Sequence, residues 1–114
     1  MDPLLDPDIL EDFDYLSRKQ GRDVYAEMIG RLSLSWPERL RQMEEACTAG
    51  ASTSLARGLH ALKGTASSMG LRQLAAFAGS AEQTAQAGSV DVDLIGLTVM
   101  LEQSLAAARN HRPG

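Results

Sequence analysis

Residues 51–70 read ASTSLARGLHALKGTASSMG, and their spacing decides the fold. Leu55, Leu59, Leu62, Ala66 and Met69 recur at alternating intervals of four and three, the seam of an α-helix packed in a bundle. Gly70 supplies a left-handed stop at the end. Within this helix, Gly64 follows His60 by four residues and Lys63 by one. An interior glycine costs a helix about 1 kcal/mol relative to alanine, so its presence there asks for a reason. A second helix glycine, Gly58, stands just before the histidine.

The same periodicity extends in both directions. Upstream, Asp6 is suited to be an N-cap and Pro7 a first helical residue. Ile9, Leu10, Phe13 and Leu16 then make an apolar face up to Gly21, which predicts a short helix over about 7–19. Residues 22–50 carry Val24, Met28, Leu32, Leu40, Met43 and Cys47 at mostly helical spacing, interrupted by Pro37. Proline removes a backbone donor and crowds the preceding turn, so either one long helix kinks there or two helices meet near Ser35. The kinked helix is favoured because the apolar period resumes almost in phase. Downstream, Leu71, Leu74, Ala78, Ala81 and Ala85 share a face that ends at Gly88, with small residues that admit a neighbour closely. Leu94, Leu97, Leu101, Leu105 and Ala108 form a last stripe.

No alternating strand pattern competes with these helices. The expectation is an all-α chain, an antiparallel four-helix bundle with a short N-terminal helix as a lid. It is read as a single domain over 1–114 with a core at about 6–109.

Composition agrees. Hydrophobic residues make up 44% and charged residues 23%, a globular balance, and aromatics are only 4%, which disfavours a β-sandwich. A net charge of -4 argues against a nucleic-acid partner. Six acids, from Asp2 to Asp14, precede the first base, Arg18, and read as a solvated helix start. Cys47 is alone, so no intramolecular disulfide forms and a cytoplasmic address fits. No apolar run approaches a membrane span, and the acidic N-terminus does not resemble a signal peptide.

On the histidine helix, residues three and four apart are surface neighbours. His60 therefore shares a stripe with Ala56, Arg57, Lys63, Gly64 and Ser67, away from the leucine seam, and is expected to face solvent. Imidazole offers a nitrogen lone pair near neutrality, able to attack an electrophilic phosphorus. Lys63 would offset charge on a transferred phosphoryl group. Gly64 and the small residues around it would let a partner's active site press onto the ring. The bland alternative is an ordinary surface histidine beside a common lysine, and from spacing alone the two are evenly matched.

The segment HALKGTASSMGL resembles the signature of histidine-containing phosphotransfer (HPt) domains, in which a histidine is followed by Lys at +3, Gly at +4, small residues and Gly at +10. Here these are His60, Lys63, Gly64, Thr65, Ala66 and Gly70. The resemblance runs from about Asp6 to Arg109 and includes LDPDILEDF, the Gly-x-Asp at 21–23 and residues 71–82. It departs where the family usually has Ala before the histidine, here Leu59, and larger residues at Ala78 and Ala81.

The resemblance implies a phosphotransfer mediator in a multistep two-component phosphorelay. His60 would exchange a phosphoryl group with the aspartate of a receiver domain, in a response regulator or hybrid histidine kinase. Lys63 would contact the phosphoryl group, Gly64 would make room for the receiver, and Glu82 would hydrogen-bond the other imidazole nitrogen. The chain would be a monomeric phosphocarrier without kinase activity of its own, since it has no Gly-rich phosphate loop. It would have no cofactor, Mg²⁺ being expected in the partner receiver. Two other readings are a docking module without chemistry and a His-ligated metal or haem bundle. The second needs another inward ligand, and His111, in NHRPG, reads as part of a frayed tail.

Overall fold

A computed structural model describes residues 3–111; Asp2 of the acidic leader and residues 112–114 lie outside the described part. Five helices follow in order: α1 (Pro7–Gln20), α2 (Val24–Thr48), α3 (Ser52–Ser68), α4 (Arg72–Gln86) and α5 (Leu94–Asn110). Among the described residues there is no strand. Helix α2 packs on α3, α3 on α4, α4 on α5, and α5 back on α2, which closes the four-helix bundle. Its core is built from Leu55, Leu59, Leu62, Leu74, Leu97 and Leu101, all essentially inaccessible.

The local chemistry of each helix end explains the chain's punctuation. The Asp6 carboxylate accepts from the Asp8 N–H at 3.0 Å, with Pro7 at the first helical position. Asp23 caps α2 by accepting from the Ala26 N–H, and Asp93 caps α5 by accepting from the Gly96 N–H. Each satisfies one of the donors that a helix start leaves unpaired. Gly70, at φ +71°, turns the chain from α3 into α4, and a Cβ there would lie 3.0 Å from both Ile9 Cβ and Leu10 Cδ1. Glycine is thus required twice, by backbone conformation and by the close approach of α1.

That approach is the lid. The Asp6 N–H donates to the Gly70 carbonyl at 2.8 Å, and Leu5 and Leu10 are buried. The Tyr25 hydroxyl donates to the Met69 carbonyl at 2.9 Å and ties the start of α2 to the same turn. Burial pushes the Tyr25 phenol up to about 12.

Helix α2 runs unbroken through Pro37, the one-helix reading that the apolar period favoured. A helix-interior proline costs about 3 kcal/mol. Burying side chains such as Leu32, Trp36 and Met43 returns about 1.5–3 kcal/mol each, enough to hold the helix together. Three other sequence expectations need correction. The buried face of its first half is Tyr25, Ile29, Leu32 and Trp36, one position on from the expected Val24 and Met28, which are half-buried. In α1, Leu16 is exposed and Ser17 takes the inward position, where its hydroxyl accepts from the Val24 N–H at 3.1 Å.

His111 is the third correction. It is held in place, its Nε2 lying 2.9 Å from Asp14 Oδ1 and its ring edge-on to Tyr25. The C-terminal end of α5 is thereby fastened to α1 and α2.

Candidate functional site

The leucine seam of α3 turns the opposite stripe outward. Leu59 and Leu62 are inaccessible, whereas the His60 side chain is 72% exposed. On either side of it Lys63 and Gly64 are also exposed. The helix therefore presents the histidine on a face with little bulk, as Ala61 and Ser67 are small and open to solvent.

Helix α4 brings the second part of the site. Glu82 is 7% exposed, an uncommon position for a carboxylate, and three side chains account for it. His60 Nδ1 lies 2.9 Å from Glu82 Oε2. Gln86 Nε2 donates to the same oxygen at 3.1 Å, and Lys63 Nζ sits 3.8 Å from Oε1. A carboxylate oxygen accepts, so Nδ1–H donates and Nε2 is left with its lone pair. Nε2 has no partner among the described residues and opens to solvent with the rest of the ring.

Two glycines shape this geometry, and the spacing of residues gave no reason for one of them. The Lys63 stem crosses α4 at Gly79, where a Cβ would lie 3.5 Å from Lys63 Cδ. A Cβ at Gly64 would meet nothing within 4 Å, so this glycine leaves open space above the helix. Gly58 differs: a Cβ there would lie 3.2 Å from Met43 Cγ, so that glycine lets α2 and α3 close on each other.

The remaining reactive groups stand apart from this face. Cys47 is a free, half-buried thiol, and burial, with Glu44 nearby, pushes it up and away from thiolate character. Among the described residues no group of three His, Cys, Asp or Glu side chains converges to hold a metal ion. No described helix is long and apolar enough to cross a membrane.

The model of the Hpt domain matches residues 27–111. The chain belongs to the Hpt domain family. A structural relative among solved proteins is the crystal structure of histidine-containing phosphotransfer protein B (HptB) from Pseudomonas aeruginosa PAO1. It has a TM-score of 0.73 and 27% sequence identity, over 96% of this chain and 90% of that one. No curated protein matches the chain significantly in sequence.

Membership carries the family's activity, histidine phosphotransfer in phosphorelays, and its general partners, the receiver domains of response regulators and kinases. The helical bundle of this Hpt chain is the fold of that relative.

Proposed function

We propose that His60 is the phosphoacceptor and that Nε2 is its nucleophilic atom. The observation that supports this reading is the pairing of a 72% exposed imidazole with a buried carboxylate at Nδ1. The Nε2 lone pair forms the N–P bond while the P–O bond to the receiver's aspartyl carboxylate breaks. The carboxylate leaves with that electron pair. The ring keeps its Nδ1 proton, and the positive charge it gains faces Glu82. Return of the phosphoryl group to a receiver reverses these steps. Lys63 lies one turn on from His60 to offset charge on the phosphoryl oxygens, and Gly64 leaves the receiver room to approach. Mg²⁺ enters with the receiver. The chain acts as a monomer toward a protein partner, in keeping with its net charge of -4.

The test is labelling with phosphoramidate followed by phosphorus NMR and acid and base treatment. The wild type should carry one acid-labile, base-stable phosphoryl group, with the chemical shift of an Nε2 adduct. His60→Gln should carry none. The ring is exposed, but it is one of the donors to the buried Glu82 carboxylate, so this change should cost about 1–3 kcal/mol and leave the bundle folded. Undiminished labelling of His60→Gln would sink the assignment.

A further inference from the structure

Helix α4 is used from two sides. Toward α3 it turns Gly79 and Glu82, which meet Lys63 and His60. Toward α5 it turns Phe77, Ser80 and Thr84, and with Val92 and Met100 these line an open groove of about 430 Å³. Ser80 and Thr84 each stand two residues from Glu82, about 200° around the helix. The groove therefore opens away from the histidine face.

The floor of the groove is apolar. Gly96 admits the Phe77 ring against α5, since a Cβ there would lie 3.1 Å from Phe77 Cζ. Phe77, Val92 and Met100 pack on the core but keep part of their surface open. Beside Met100, α5 leaves Ile95 81% and Val99 47% exposed. These two are one turn apart, so they extend the apolar floor along the outer wall of α5. Large apolar side chains set side by side next to a groove mark a contact surface, which singly scattered ones do not.

The rim is acidic. Asp91 and Asp93 line the groove where the chain enters α5, and Glu102 stands exposed one turn on from Val99. Asp93 uses Oδ1 to cap α5. Asp91 and Glu102 have no cationic partner among the described residues. Elsewhere carboxylates are answered, Glu38 and Glu45 by Arg41, Glu27 by Arg22 and Glu82 by Lys63. An apolar strip with an unanswered carboxylate toward each end is complementary to a partner that brings apolar and cationic groups together.

We propose that the α4–α5 groove is a docking site for a cationic amphipathic helix of a second protein, engaged while His60 stays free on the other side of α4. Apolar side chains three and four residues apart on such a helix fill the groove against Phe77 and Met100 and cover Ile95 and Val99. Lys or Arg side chains on its flanks pair with Asp91 and Glu102, which sets its direction along the groove. A second copy of this chain is the poorer occupant, because a symmetric contact would bring the same acids to both sides. The bound helix tethers the chain without covering its imidazole, so one molecule holds this partner and presents His60 at the same time.

The experiment titrates the full chain into a fluorescent helical peptide of about fifteen residues, with Leu along one face and Lys on both flanks, and follows anisotropy. A twin peptide with Glu in place of Lys is the control. Wild type should bind the Lys peptide at least about tenfold more tightly than the Glu peptide, with an affinity that falls as salt rises. Asp91→Asn/Glu102→Gln and Ile95→Ser/Val99→Ser should each weaken binding of the Lys peptide by about tenfold. Ser80→Trp, at an exposed position, fills the groove and should do the same. All of these positions but Asp91 lie on helix surfaces, and unchanged circular dichroism confirms that each variant is folded. Amide shifts on peptide addition should cluster at residues 76–84 and 91–103 on the groove side and leave His60 unmoved. Equal affinity for wild type, Ser80→Trp and Ile95→Ser/Val99→Ser would overturn the proposal by showing charge attraction without a groove. Shifts centred on His60 would overturn it by placing the peptide on the other face. A concentration-dependent dimer that Ile95→Ser/Val99→Ser dissolves would overturn it by giving the groove to a second copy.

Discussion

A side chain at Gly64 would project into open space, since a Cβ there meets no heavy atom within 4 Å. The consequence of Gly64→Gln can therefore be worked out in two parts. For folding, an exposed helix-interior glycine replaced by glutamine recovers about 0.7 kcal/mol of helix propensity. The entropy of unfolding is about 2.1 cal/mol/K per residue, so for a chain of this size the melting temperature should rise by about 3 °C. The Ser68 hydroxyl, which donates to the Gly64 carbonyl at 2.9 Å, keeps its partner because only the side chain changes. For transfer, the new side chain stands one turn from His60 on the same face. Reacting atoms must approach to about 3–3.5 Å, and a misplacement of about 1 Å costs on the order of a hundredfold in rate. Receiver-dependent transfer should fall by at least that order. Phosphoramidate, which needs no flat docking surface, should label His60 within about threefold of the wild-type rate. Calorimetry, receiver transfer and small-donor labelling on this one variant separate the effects. A less stable Gly64→Gln, or one that accepts phosphate from its receiver at the wild-type rate, would refute the reasoning.

Lys63→Ala should slow transfer by about tenfold, or 1.4 kcal/mol, without abolishing it, because a half-exposed ammonium stabilises charge and is not the nucleophile. Stopped-flow transfer and the lifetime of the phosphohistidine report this, and wild-type values in both would make Lys63 an ordinary surface residue. Tyr25→Phe should cost about 1 kcal/mol at pH 7, because the Met69 carbonyl loses its buried donor. The Tyr25 phenol is raised in the folded chain from 10.0 to about 12, so its contribution is complete below pH 10 and is lost as pH rises toward 12. Chemical denaturation from pH 9 to 12 should show that alkaline loss reduced in Tyr25→Phe, and identical curves for the two proteins would count against the assignment.

What the sequence by itself determined about this chain is what neighbouring residues decide among themselves. A period of 3.6 marked α3, α4 and α5, and the capping chemistry of Asp6, Gly21, Gly70 and Gly88 marked where helices begin or end, because these features act within a turn or two. The outward stripe of His60, Lys63 and Gly64 followed from the leucine seam for the same reason. Tertiary structure decided whatever depends on which helices meet. In α2 the apolar residues are spread widely enough that periodicity admits two faces, and packing against α3 and α5 selected the one with Tyr25, Ile29 and Trp36. Pro37 alone argues for a break, and only the burial around it keeps the helix whole. The meeting of His60 with Glu82, 22 residues away, comes from the family resemblance or from the structure and never from spacing. Arg39 with Thr65, Lys63 against Gly79, Met43 against Gly58 and His111 with Asp14 had no signal in the sequence. Each is a contact between helices, set by the register at which two helices pack, and that register is a property of the whole core rather than of any one segment.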